Sequence, residues 1–328
     1  MNERFLMKHW VKIILELTKF RIALFAAFST SAGFILAKQG LSSDMMTAVL
    51  GVFFLACGSC ALNQYQERFR DRLMERTRGR PIPSQRLDPA TALKIAFFLL
   101  FLGAFTLLKG SNGIAFALGA LALFWYNGLY TFLKRKTAFA VIPGALIGSI
   151  PPMLGWVSGG GYLFDPKILA VVFFFFLWQI PHFWLLLLHS GRDYEKAGFP
   201  SLTRIFNPGQ LRRILFSWVF ATGVSCVILP LFGIVESYYI QTGFFFAAIW
   251  LVWKAFKLLR NHQSEFSLQL TRSTALMPRP LGWKRRRRSG STLSKPRSEG
   301  RGVEELTFNA INAYVLLVMF LLTMDHLL

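Results

Sequence analysis

Residues 48–81 read AVLGVFFLACGSCALNQYQERFRDRLMERTRGRP. The first half is apolar enough to lie in hydrocarbon, and it runs without a break into carboxylates and a crowd of arginines. A membrane crossing takes about 20 mostly apolar residues. Eight further stretches of that kind follow or precede this one: 20–38, 91–109, 113–133, 138–157, 168–189, 213–233, 238–256 and 307–324, with 44–64 completing the set. Apolar residues make up 54% of the 328, 34 of them Phe, and mean hydropathy is +0.44. These values exclude an ordinary soluble domain. The expected fold is all-α: one polytopic membrane bundle of about nine transmembrane helices.

Charge supplies the orientation. All but three of the 37 lysines and arginines fall in the N-terminal segment or in alternate connections, and Lys38, Lys109 and Lys167 are the exceptions. The positive-inside rule then predicts a cytoplasmic N-terminus and an outside C-terminus. The net charge of +21 is therefore mainly topological, with an added pull toward anionic lipid. A nucleic-acid partner is excluded on the same ground. The opening MNERFLMKHWVK leads into a long helix and has no short h-region with a cleavage site, nor the composition of a transit peptide. The expected location is a bacterial cell inner (cytoplasmic) membrane. The transmembrane domain comprises 1–260 and 306–328. Between them, 261–305 has the basic, Ser/Arg-rich composition of a disordered cytoplasmic loop. Cys57, Cys60 and Cys226 lie inside spans, so no disulfide framework is expected, and the Cys-Gly-Ser-Cys spacing reads as small-residue packing.

Asn63, Glu67 and Asp71 are spaced four apart, so on a helix they share one face, drifting only ~80° in all. Two carboxylates one turn apart cannot coat a small ion alone, but they can share Mg²⁺ with a substrate's phosphates. Arg76, Arg78 and Arg80 follow, and guanidinium forks suit phosphate. Acid for metal and base for phosphate on one segment suggest a metal–diphosphate site; the same residues would also make a solvated exit helix with i, i+4 pairs. Tyr130 and Lys134 stand one turn apart at the end of the fourth span, and Asp193 stands at the exit of the sixth. Two acidic exits could face each other across a cavity and clamp two metal ions.

Together these stretches resemble the UbiA-type intramembrane prenyltransferase superfamily. Its first signature is matched by Asn63-x3-Glu67-x3-Asp71, and the continuation Met74-x-Arg76-Thr77-x2-Arg80-Pro81 is similar to the protoheme IX farnesyltransferase (heme O synthase) branch. LTKFRIAL at 17–24, YTFLKRKTAFAVIPGALIGSIPPMLGW at 130–156, IPHFW at 180–184 and RDYEKAGFP at 192–200 agree in order. The resemblance implies catalytic roles for Asn63, Glu67, Asp71 and Asp193. It also implies Mg²⁺ on Glu67, Asp71 and Asp193, and diphosphate contacts from Arg76, Arg80, Tyr130 and Lys134. His182, where this branch differs from the quinone-precursor enzymes, is the expected contact for the heme acceptor. Farnesyl diphosphate and protoheme IX (heme b, as substrate) are the implied partners in the bilayer, and heme A synthase or oxidase assembly proteins are implied protein partners. The chain departs from the family after AGFP, where SLTRIF replaces a Met-Leu-Pro-like run, and at 264–305, where the family has a short turn. An aromatic (quinone-precursor) acceptor stays open as an alternative, as does a transporter whose polar residues form an ion path.

Gln179 is expected either in the pocket or bonded across helices, and Gly144 and Gly148 are expected to permit close helix packing. The aromatic run Phe173–Phe176 and Trp178 reads first as lipid-facing or core, with some of these aromatics expected to line the apolar cavity.

Overall fold

The computed structural model describes the backbone of residues 3–275 and 299–327. The chain starts with an amphipathic helix, α1 (Glu3–Leu17). Nine long apolar helices follow: α2 (Phe20–Lys38), α3 (Met45–Asp71), α4 (Pro89–Gly110), α5 (Gly113–Leu133), α6 (Val141–Ser158), α7 (Pro166–Lys196), α8 (Pro208–Ile228), α9 (Tyr238–Ala275) and α10 (Glu299–Met324). Each of the nine is long and apolar enough to cross a membrane, in agreement with the hydropathy reading. The first span begins where the hydropathy reading puts it, at residue 20. The opening segment forms its own helix, α1, and Lys19 takes a left-handed backbone (φ 48°, ψ 51°) that separates it from α2. Much of the loop expected at 261–305 lies outside the described residues; where its ends are described, they are helical, to Ala275 and from Glu299.

Helix starts follow local chemistry. Asp88-Pro89, Asp165-Pro166 and Asn207-Pro208 each place a side-chain acceptor at the cap and Pro in the first turn, where its missing N–H costs nothing. Asp88 accepts from the N–H groups of Ala90 and Thr91 at 3.0 Å each. Asn207 and Gln210 close a reciprocal capping box.

Consecutive spans pack side by side, and α10 returns to α2, which closes the ring. Contacts between non-consecutive spans, chiefly α2 with α6 and α7 with α10 and also α3 with α5 and α6, brace it internally. Phe97, Phe98 and Phe101 on α4 are all more than half exposed; on a spanning helix such rings face lipid. The α2–α6 brace depends on Gly155, since a Cβ there would overlap the Thr30 carbonyl of α2. Gly155→Val is expected to cost about 3 kcal/mol, the upper range for overpacking, and to lower Tm in detergent.

Candidate active site

The cavity lies between α2, α3, α5, α6 and α7, at the bundle end where α3 and α7 carry their carboxylates, and has a volume of about 420 Å³. α3 continues as helix to Asp71, so the four-residue spacing puts Asn63, Glu67 and Asp71 on the cavity wall together. All three are buried. Each meets a cation. Lys19 Nζ donates to Asn63 Oδ1 at 3.2 Å, Lys134 Nζ lies 2.7 Å from Glu67 Oε1, and Arg80 donates to Asp71 Oδ2 at 2.7 Å. Buried carboxylates without such partners would be costly. Asp71 Oδ1 remains buried with no hydrogen-bond donor among the described residues.

The cations arrive from three directions. After Asp71 the chain leaves the helix and turns back; Thr77 Oγ1 ties the turn by donating to the Asp71 carbonyl at 2.9 Å. This turn brings Arg76 and Arg80 to the cavity. Lys134 comes from α5, whose segment Phe124–Tyr130 is a π-helical turn. Such widened turns often mark functional positions. Asn127 holds it to α3, with its Nδ2 donating to the Ser59 carbonyl at 3.0 Å and to Gln66 Oε1 at 3.2 Å. Tyr126 and Tyr130 stack with centroids 5.9 Å apart and line the cavity. Lys134 Nζ sits 5.3 Å from the Tyr130 ring centre.

Other expected positions differ. Asp193 is not among the residues that line the cavity. Its Oδ2 accepts the Arg76 backbone N–H at 3.1 Å, so it fixes the turn that carries Arg76. Among the described residues, no three His, Cys, Asp or Glu side chains are gathered as a metal-ligand set. Asn63 is engaged twice, since its Nδ2 also donates to Thr131 Oγ1 at 3.1 Å; it bridges α3, α5 and Lys19. His182 is not on the cavity wall. Its ring lies against Trp178, Phe183 and Phe308, with centroids 5.0, 5.4 and 5.0 Å away, and Nδ1 is 2.7 Å from Asn312 Oδ1. Phe183, the next residue, does line the cavity.

The aromatic run follows its core or lipid-facing reading and supplies none of the residues lining the cavity. Phe174, Phe175 and Trp178 are buried in the core and Phe173 is exposed, whereas the cavity uses Phe25, Tyr126, Tyr130, Phe183, Tyr194 and Phe199. Gln179 does line the cavity. Gly144 and Gly148 permit close packing, as expected, and also line the cavity: a Cβ on Gly144 would lie 2.6 Å from the Tyr130 ring of α5, and one on Gly148 would overlap the Gln179 amide of α7. Cys57, Cys60 and Cys226 are free and buried, as expected, and Cys60 is on the cavity wall.

Lys19 had no assigned role in the sequence, although it stands in the LTKFRIAL stretch. Burial, with Arg80 and Lys134 nearby, pulls its ammonium from the ordinary lysine value down to about 8. Lys19 is thus charged below pH 8 and neutral above it. If it attracts an anionic substrate, KM for that substrate should rise roughly tenfold between pH 7 and 9, the worth of a charge-assisted contact of about 1.5 kcal/mol. Lys19→Arg should flatten that rise. An unchanged pH profile in Lys19→Arg would remove Lys19 from substrate binding.

A family profile described as the UbiA prenyltransferase family matches residues 26–270. The chain belongs to the UbiA prenyltransferase family. A protein from Geobacter sulfurreducens named protoheme IX farnesyltransferase is 40% identical over 218 residues, 65% of this chain and 79% of its own. A protein of the same name from Oleidesulfovibrio alaskensis is 38% identical over 218 residues, 66% of this chain and 77% of its own. Among solved structures, one from work on digeranylgeranylglyceryl phosphate synthase in membranes matches with TM-score 0.69 at 13% identity, covering 96% of this chain and 98% of that one. A UbiA homologue from Archaeoglobus fulgidus bound to GPP and Mg²⁺ matches with TM-score 0.57 at 13% identity, over 94% and 99%. At that identity the two structures share the UbiA fold with this chain.

Proposed function

We propose that this chain transfers a farnesyl group from farnesyl diphosphate to a vinyl group of protoheme IX, giving heme O. The observation that carries this reading is the 38–40% identity to proteins named protoheme IX farnesyltransferase over most of their length. The cavity chemistry supports it. Arg76, Arg80, Lys134 and Lys19 line one end of an otherwise largely apolar chamber, which suits an anionic head on an apolar tail. The residues fit Mg²⁺ as a shared ion: Asp71 keeps a buried, unpartnered carboxylate oxygen, Glu67 lies one turn away, and substrate phosphates would complete the shell. Glu67 and Asp71 would hold it, with Asp193 acting through the Arg76 turn. When bound, Mg²⁺ neutralises negative charge on the departing diphosphate.

The protein's own part begins with Arg76, Arg80 and Lys134, which stabilise the charge that grows as the C1–O bond of farnesyl diphosphate breaks. The allylic carbon then bonds to the terminal vinyl carbon of the heme. Water adds to the cation left on the other vinyl carbon and loses a proton, which completes the hydroxyethylfarnesyl group. The apolar walls delay water until the carbon–carbon bond exists. His182 is the proposed heme contact. With Nδ1–H donated to Asn312 Oδ1, its Nε2 keeps the lone pair a metal requires; the tautomer follows from the amide's assignment. The distribution of lysine and arginine supports a cytoplasmic site and N-terminus in a bacterial inner membrane, and heme A synthase or oxidase assembly proteins are the proposed partners.

Membranes carrying the chain, given protoheme IX, farnesyl diphosphate and Mg²⁺, should yield heme O by mass spectrometry. Diphosphate release with an aromatic acceptor and none with heme would retain the family chemistry and reject the heme assignment.

A further inference from the structure

Outside the cavity, α1 and the first turn of α2 enclose an apolar groove of about 820 Å³. Val11, Leu15 and Ile22 line it together with Lys8, Lys12 and Arg21. Its one acid, Glu16, is paired with Arg86, whereas the three cations form no ion pair among the described residues. α1 also exposes Met7, Trp10 and Ile14. Apolar residues and lysines on such a helix are the pattern of one lying in the membrane interface.

The groove and the cavity share part of their walls. Lys19 and Ile22 line both. At the junction Lys19 takes a left-handed backbone, an arrangement that is unfavourable for a non-glycine residue. It is held by Gln64, whose Nε2 donates to the carbonyls of Glu16 at 2.7 Å and Leu17 at 3.0 Å. A buried side chain from α3 thus fixes the end of α1 and sets Lys19 between two concave surfaces.

We propose that the groove is the loading site for the prenyl diphosphate, on its way from the bilayer to the cavity; this rests on the function proposed above. The isoprenoid chain lies on the apolar wall, Lys8, Lys12 and Arg21 take the diphosphate, and Lys19 passes the head inward. A substrate in transit is favoured over a resident phospholipid because Lys19, the one cation common to both walls, stands between the groove and the cavity. Three uncompensated cations also suit a diphosphate better than the single charge of most anionic lipids.

The test uses the full chain in nanodiscs, with the double variant Lys8→Glu/Lys12→Glu and, separately, Val11→Trp to fill the groove. KM for farnesyl diphosphate should rise at least fivefold in each, with kcat unchanged and with unchanged inhibition by inorganic pyrophosphate, which reaches the cavity from water. An unchanged KM would overturn the proposal, as would a parallel change in pyrophosphate inhibition. A benzophenone-bearing prenyl diphosphate should label residues 7–22 of the wild-type protein and be displaced by farnesyl diphosphate. Displacement by phosphatidylglycerol vesicles alone would assign the groove to lipid and reject the loading role. Labelling at 7–22 by a protein that transfers nothing would reject the proposed function and leave the groove assignment standing.

Discussion

Asp71→Asn is expected to lower kcat/KM for farnesyl diphosphate by about a thousandfold, with the fold intact. The substitution keeps the shape and can keep the 2.7 Å hydrogen bond from Arg80. It does not touch the Thr77 bond to the Asp71 carbonyl that holds the following turn. It removes the charge of a buried carboxylate whose other oxygen has no donor. That charge is needed twice: to hold a cation shared with the diphosphate, and to keep Arg80 aimed into the cavity. Loss of one preorganised electrostatic contact costs about 10²–10³ in rate, and loss of a metal ligand puts the effect at the upper end. Asp193→Asn should cost much less, about tenfold to a hundredfold. Asp193 acts on Arg76 through a backbone hydrogen bond, which an amide oxygen can still accept. Diphosphate release measured alongside circular dichroism separates the two. Equal losses in both variants would mean that Asp193 reaches the substrate directly, as the spacing of the two acidic motifs first suggests.

The difference between those carboxylates also shows what a sequence can carry. Glu67 and Asp71 share a face because helical periodicity fixes their relation, and nothing distant is needed to deduce it. Asp193 sits on α7, and its distance from α3 depends on how two spans and the intervening turn pack; only coordinates reveal that it meets the Arg76 N–H. Lys19 is a sharper case. It lies 44 residues before Asn63 and would pass for a positive-inside anchor, yet a left-handed break between α1 and α2 turns it into the cavity. No Gly or Pro marks that break, because the conformation is imposed by Gln64 from another helix. The π turn in α5 is equally silent in the sequence, since Asn127 bonds to Ser59 and Gln66 rather than to its own helix. Hydropathy located the spans well because hydrocarbon imposes one rule on every span. Apart from Tyr130, the cavity aromatics are not legible in the sequence, because in an all-apolar helix the faces toward lipid, core and cavity are compositionally alike.

Lys134→Met should act on stability and catalysis together, and a double variant can divide them. The Lys134–Glu67 pair has side-chain exposures of 18% and 6%, so removing the cation leaves a carboxylate buried without its main partner. Losing one member of a buried pair costs about 3–5 kcal/mol, which should appear as a fall in Tm and in yield from detergent. Adding Glu67→Gln removes the stranded charge, and Glu67→Gln/Lys134→Met should recover most of the stability. Activity should not return with it. If Lys134 stabilises the departing diphosphate and Glu67 shares the cation that does the same, the neutral pair lacks both functions, and the double variant should stay at least a hundredfold below wild type. Recovery of activity in parallel with Tm would mean that the pair only holds α5 against α3. In that case the diphosphate would depend on Arg76, Arg80 and Lys19, the cations whose positions are set by the turn after α3 and by the end of α1.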